Sequence, residues 1–257
     1  MESREPAGTD QARTEPIVGV SRNLARLAAA DIRMLARDPL LAFIPFIPFL
    51  AAFVLRFAVP LLSGFLERAL GFRLLDWADL VRAVVLLFPG MFYGMAAGFL
   101  LLDDRDDGVS AYWGVTPAGR AGYLGARLGL FSAAAFLAGV LAARALGLGR
   151  PDLGRELGAA AIGAAQAAFF GLFLAAFAAD KVEGLSVLKA LGGLDLAPLA
   201  VLLALPLRIA AWPFPQYWAA ELMLGRNSRS GIALVAGLGT SALWIAALYG
   251  KYRKRIE

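Results

Sequence analysis

The sequence predicts an all-α polytopic membrane protein with six transmembrane helices, an N-terminal amphipathic interfacial helix and a broken interfacial segment before the last span. Three observations carry this. Hydrophobic residues make up 60% of the 257, against roughly 45 to 50% in a soluble domain, enough for six spans of about 20 apolar residues each with a surplus for interfacial segments. The apolar residues fall in long runs separated by charged or Pro- and Gly-bearing stretches. Arg and Lys cluster beside those runs, so the net charge of +5 reads as membrane orientation and no nucleic-acid partner is expected.

Residues 1–20 are polar, contain Pro6, Gly8 and Pro16, and lack the apolar core of a signal peptide, which predicts a disordered cytoplasmic tail. Over residues 21–38 the pattern turns helical. At 100° per residue Arg22, Arg26, Arg33 and Arg37 fall within about 60° of one another, with Leu24, Leu27, Ile32, Met34 and Leu35 across the helix. This predicts a helix along the membrane surface, ended by Asp38-Pro39.

Residues 39–250 form the predicted six-span domain. Its apolar runs are Pro39–Leu55, Ala83–Leu102, Leu128–Ala143, Leu157–Ala179 and Ser230–Gly250, while Leu196–Leu207 is too short to cross unaided. The basic N-terminal helix and the basic tail at 251–257, with Lys251, Arg253, Lys254 and Arg255, both ask for the cytoplasmic side, and that requires an even number of crossings. The fifth span is therefore extended, either through Asp195 or through Arg208 to Trp212. The chain is expected in the inner (cytoplasmic) membrane with both termini in the cytoplasm.

Between the fifth and sixth runs, residues 208–229 are too polar to cross, and Trp212, Phe214, Tyr217 and Trp218 suit the interfacial belt. Pro213 and Pro215 break the segment into short helices dipping into the outer leaflet. Glu221 reads as an ion-pair partner of Arg208, Arg226 or Arg229.

The chain has no Cys and no His, which removes thiolate chemistry, Cys-ligated metals and the commonest general base and zinc ligand. No catalytic or metal-binding residues are assigned. A phosphate loop is missing too, since Gly250-Lys251 is followed by Tyr252. Asp107-Gly108 with Ala111 resembles the opening of membrane CDP-alcohol phosphotransferases, but Tyr112 stands where Arg is needed. Within the spans, Arg56, Arg82 and Arg144 lie near predicted ends and are expected to snorkel, and Gln166 is the strongly polar group well inside the fourth run. Gly90, Gly94 and Gly98, Gly125 and Gly129, and Gly154 and Gly158 have the small-xxx-small spacing of helix-packing faces.

Two segments on the cytoplasmic side differ from ordinary loops. Residues 103–128 carry a charged cluster, a Gly, a short amphipathic stretch with Tyr112 and Trp113, and Thr116-Pro117. Residues 177–192 repeat the format on a smaller scale. Each suits insertion into a groove on a partner, and each equally suits a solvated hairpin.

The first segment resembles the loop between spans two and three of type-2 ABC export permeases, through Asp103 to Asp107, Gly108, Val109 to Val115, Thr116-Pro117, Tyr123-Leu124 and Arg127. The second, with Lys181-Val182-Glu183-Gly184 and Lys189, is similar to permeases of the drug-export branch, including those labelled fluoroquinolone exporters. The resemblance implies a permease subunit that forms the translocation path of an ATP-driven exporter for a hydrophobic or amphipathic substrate. It implies cytoplasmic ABC ATPase subunits and a second permease chain, in a homodimer or heterodimer, as partners beside membrane lipid. This chain then binds no cofactor, and ATP and Mg sit on the ATPase. The expected ATPase contacts are Arg105, Asp106, Asp107, Gly108, Val109, Tyr112, Trp113, Lys181, Glu183 and Lys189, with Tyr112 or Trp113 as the buried anchor and the charges at the rim. The alternative is a polytopic membrane enzyme acting on lipid, which would turn over lipid with no ATPase attached.

Overall fold

The computed structural model describes residues 28–109, 119–149, 152–225 and 230–256. Among these there is no strand, and six helices are long and apolar enough to cross a membrane: Leu41–Leu70, Leu74–Asp106, Gly119–Leu146, Leu153–Phe177, Lys181–Leu202 and Ser230–Arg255. The chain is a multi-pass membrane protein. Its helices are α1 over 28–37, α2 Ile47–Leu70 after short turns at Pro39–Phe46, α3 Ala78–Asp106, α4 Gly119–Leu146 and α5 Leu153–Phe177. There follow α6 Lys181–Leu191 with a 3-10 run Gly192–Leu202, then α7 Pro215–Leu224 and α8 Ser230–Ile256.

The second and fourth spans are the centre of the bundle, each about two-thirds buried (67%), whereas the first, fifth and sixth are about one-fifth buried (22%, 17% and 22%). Glycine makes the central pair possible. A Cβ at Gly90 would fall 2.2 Å from the Gly163 carbonyl oxygen, one at Gly94 2.6 Å from that of Ala167, and one at Gly98 2.6 Å from a methyl of Leu174. The Gly stripe of α3 therefore presses directly on the α5 backbone, as its four-residue spacing predicts. Gly158 packs in the same way on Leu222 and Leu234. Gly125 and Gly129 do not: a Cβ at either meets no described atom within 4 Å.

The first span ends later than the sequence reading has it, and the fifth takes one of the two extensions that reading left open. The first span runs on past Leu55 to Leu70, because Arg56 stays helical and donates to the Ala145 carbonyl at 3.0 Å; Gly71 then stops it in the left-handed region (φ 67°). The fifth span takes the first of the two extensions, crossing from Lys181 through Asp195 to Leu202 by changing from α to 3-10 geometry. Arg208 lies beyond it, in a separate short helix Leu205–Ile209. The 205–224 segment is broken near its prolines, and α7 buries Gln216, Tyr217, Leu222 and Met223. Glu221 pairs with Arg208, and the Tyr217 hydroxyl donates to it at 2.8 Å.

The chain alternates between two ends of the bundle. Lys181, Asp38 and Asp103 meet at one end, where Arg255 also reaches the Ala175 carbonyl at 3.5 Å. At the other end Arg82 is not a snorkelling residue. It is 2% exposed, ion-paired to the equally buried Glu156 and bonded to the Leu148 carbonyl, while Arg144 pairs with the second oxygen of Glu156 at 2.6 Å. A charge inside a span stays charged when a counter-charge comes with it, and the first turn of α5 brings Glu156.

Because the α3–α5 contact is backbone against backbone, Gly94→Val should destabilise the purified chain by about 1 to 3 kcal/mol, the usual cost of overpacking. Gly129→Ala should cost nothing. Thermal unfolding in detergent checks both, and equal midpoints for the two variants would contradict the tight central pair.

Candidate functional site

The densest charged cluster lies at the end of the bundle where α1, the C-terminus of α3, the N-terminus of α4 and the 177–183 turn converge. Its centre is Arg127 on α4, 2% exposed. Its guanidinium donates to both carboxylate oxygens of Asp31 on α1, at 3.2 Å from Nε to Oδ2, and to Asp104 on α3. Asp31 is 1% exposed and Asp104 4%. The Tyr123 hydroxyl donates to the same oxygen of Asp104, and the guanidinium carbon lies 4.9 Å from the centre of the Tyr123 ring, a cation–π contact. Burial pushes the Asp31 carboxyl above its ordinary range, while the charge and hydrogen bonds of Arg127 pull it back.

Local sequence explains the placement. Tyr123 and Arg127 are four residues apart on α4, so they share one face. Asp31 sits between Leu27 and Leu35 at the same four-residue spacing, in the middle of the apolar face of α1. An acid in the middle of an apolar stripe demands a buried counter-charge. That signal was in the sequence and points to Asp31; the identity of the partner, 96 residues away, was not.

A second layer lies around this node. Lys181 Nζ is 3.1 Å from Asp38 Oδ2 and 3.0 Å from Asp103 Oδ2, tying the end of α1 and the end of α3 to the start of α6. Arg105 donates to the carbonyls of Ala178, at 3.3 Å, and Ala179. The turn before α6 is itself built by its sequence: Asp180 caps the helix by accepting from Val182 N and Glu183 N at 2.8 Å each, and Glu183 accepts in return from Ala179 N.

The residues singled out in the two segments thus come together. Arg105 and Lys181 are half-buried clamps, and Glu183 belongs to a helix cap. Asp106, Asp107 and Gly108 are exposed, with Val109 half-buried next to them and Lys189 exposed on α6. Tyr112 and Trp113 lie outside the described residues. On α1, Arg33 and Arg37 are exposed, and Arg22 and Arg26 lie outside the described residues. Next to the node, an apolar groove of about 450 Å³ runs between α1, α3, α4 and the turns before α2, lined by Ile32, Leu35, Phe46, Tyr93 and Phe131 among others. Among the described residues, no group of acidic side chains is arranged to hold a metal ion.

Comparison with known proteins falls on the same stretch of chain. The model of a family described as fluoroquinolones export permease protein Rv2686c-like matches residues 31–249. Two curated proteins, the fluoroquinolones export permease proteins MT2760 and Rv2686c from two strains of Mycobacterium tuberculosis, CDC 1551 / Oshkosh and H37Rv, are each 30% identical over 204 residues. The match covers 78% of this chain and 81% of each relative. No solved structure matches the chain.

Removing one member of a buried ionic group leaves the others uncompensated, at a cost of about 3 to 5 kcal/mol. Arg127→Met should therefore destabilise the purified chain by that order, and adding Asp31→Asn with Asp104→Asn should restore much of the loss. Thermal unfolding of the single and triple variants checks this; a single variant as stable as the wild type would show that the node carries no such strain.

Proposed function

This chain belongs to the fluoroquinolone export permease family, and on that premise we propose that it is the membrane subunit of an ATP-driven ABC exporter whose ATP hydrolysis is supplied by a separate subunit. The end of the bundle carrying residues 103–109 and 177–189 is the cytoplasmic end, and these two segments are the surface on which the ATPase docks. The observation that carries the reading is their union: Lys181 holds both segments together through Asp103, and Arg105 grips the turn before α6. A partner pressing on Asp106, Asp107 and Lys189 would then push on α3, α4 and α1 at once through Arg127.

Other features support the same reading. The described N- and C-terminal parts of the chain lie at one end of the bundle, consistent with both termini in the cytoplasm. The first, fifth and sixth spans leave Phe53, Phe57, Leu61, Leu196, Val235 and Leu243 exposed, apolar faces suited to lipid and to a second permease chain. The cargo proposed is an amphipathic aromatic drug, because the relatives are named for fluoroquinolone export. In this account the chain transports and does no chemistry of its own.

The absence of native cysteine makes the docking surface directly testable. Single cysteines at Asp107 and at Val182, which is 76% exposed, should cross-link to a co-expressed ABC ATPase subunit in membranes. A cysteine at Leu203, exposed at the opposite end of the fifth span, should not. Mass spectrometry of the adducts reads the result, and cross-links from Leu203 with none from the other two would contradict the assignment.

A further inference from the structure

The bundle also forms a partly open cavity of about 170 Å³, remote in sequence from the Arg127 node, between α5, the end of α6, the start of α7 and α8. Its wall is aromatic and apolar, with Phe169, Phe173, Phe214 and Trp244. Phe169 meets Trp244 edge to face, with centroids 6.0 Å apart, and the Trp244 indole N–H donates to the Pro213 carbonyl at 2.9 Å. The wall is thus held in place rather than loosely collapsed. A cavity of this volume takes up a benzene-sized ring when it is wholly apolar.

Its accessible lining is almost wholly apolar, but the amides of two glutamines sit directly behind it. Gln166 from α5 and Gln216 from α7 both line it, 1% and 2% exposed. They make one hydrogen bond to each other, Gln216 Nε2 donating to Gln166 Oε1 at 3.1 Å. The other half of each amide is left over: Gln166 Nε2 and Gln216 Oε1 are buried and have no hydrogen-bond partner among the described residues. One unserved donor and one unserved acceptor therefore stand in adjacent side chains just behind an aromatic wall, closed off from the cavity in this conformation. Buried polar groups without partners are rare and call for an explanation, and two complementary ones beside an aromatic wall are answered by a ligand that carries the matching pair.

We propose that this cavity binds the exporter's cargo: a flat aromatic ring with a hydrogen-bond acceptor and a donor side by side on one edge, for which the two amides turn out from behind the wall, the acceptor meeting Gln166 Nε2 and the donor meeting Gln216 Oε1, with the ring between the Phe and Trp side chains. As a station on a transport path the site rests on the permease reading above; as a binding site it does not. The hydrogen bonds set the orientation and the apolar wall sets the affinity, the division of labour usual in small-molecule sites.

The probe is 2-quinolone, whose lactam edge offers an adjacent C=O and N–H, and its partner is 1-methyl-2-quinolone, which lacks the N–H. Equilibrium dialysis against the full chain in lipid nanodiscs should give saturable binding of 2-quinolone and binding of the methylated probe weaker by about tenfold or more, since a site built for a donor rejects the analogue without it. Gln216→Leu should lose a similar factor. Leu194→Trp, which fills the cavity from the fifth span, should abolish binding while leaving the unfolding temperature unchanged. No saturable binding to the wild type, or equal affinity for the two probes, overturns the site, the latter meaning that water serves the amides. Export of an aromatic drug from cells is scored separately: wild-type export with no wild-type binding removes this site and leaves the permease reading standing. Export unaffected by Leu194→Trp shows that the cavity does not hold cargo, and export lost together with binding upholds the proposal.

Discussion

A guanidinium without water is the constraint around which one end of this molecule is arranged. Arginine cannot shed its proton, so burying Arg127 obliges the fold to bring carboxylates to it. The two that arrive come from different helices, Asp31 from α1 and Asp104 from α3. Neither helix can move away without leaving a buried charge unpaired. Lys181 extends the same logic outward to Asp38 and Asp103, so the amphipathic helix, the second span, the third span and the turn into the fifth form one mechanical unit.

The rest of the bundle divides into a tight centre and a loose periphery. Backbone contact between α3 and α5 at Gly90, Gly94 and Gly163 leaves no room for the two helices to shift, and the Arg82–Glu156–Arg144 cluster locks their opposite end. The first, fifth and sixth spans are attached by much less buried surface. Motion in an exporter of this form would then consist of the peripheral spans moving against a rigid core, with the ionic node, at the end proposed to be cytoplasmic, as the point where force enters. The glutamine-lined cavity lies on the boundary between these two parts, formed by α5 of the core and by the peripheral fifth and sixth spans.

Much of this was legible in the sequence, and for identifiable reasons. Long apolar runs report spans because a bilayer leaves the backbone no alternative to a helix. The Gly90, Gly94, Gly98 stripe reported its face because spacing along one helix is local information. The Glu221–Arg208 pair was legible because both residues sit in one short interfacial segment. What escaped was non-local. Arg82 looked like a snorkelling residue until Glu156 arrived from 74 residues away, and Arg127 looked like an orientation charge because neither of its carboxylates is marked in sequence as its partner. Arg56 made the first span seem to stop at Leu55, since the Ala145 carbonyl that receives it is 89 residues distant. The Gly125 and Gly129 pair shows the converse: the spacing is correct, yet no helix among the described residues packs on it.

The claim that the Arg127 node transmits the work of an ATPase into the spans is tested most directly by separating stability from coupling. Arg127→Met with Asp31→Asn and Asp104→Asn removes the charges together, so the chain keeps its fold but loses the ionic link between α1, α3 and α4. In complexes reconstituted with the ATPase subunit, drug transported per ATP hydrolysed should fall about fivefold or more, the range of typical coupling free energies, while the ATPase stays bound and active. Unchanged transport per ATP in a folded triple variant would contradict the claim.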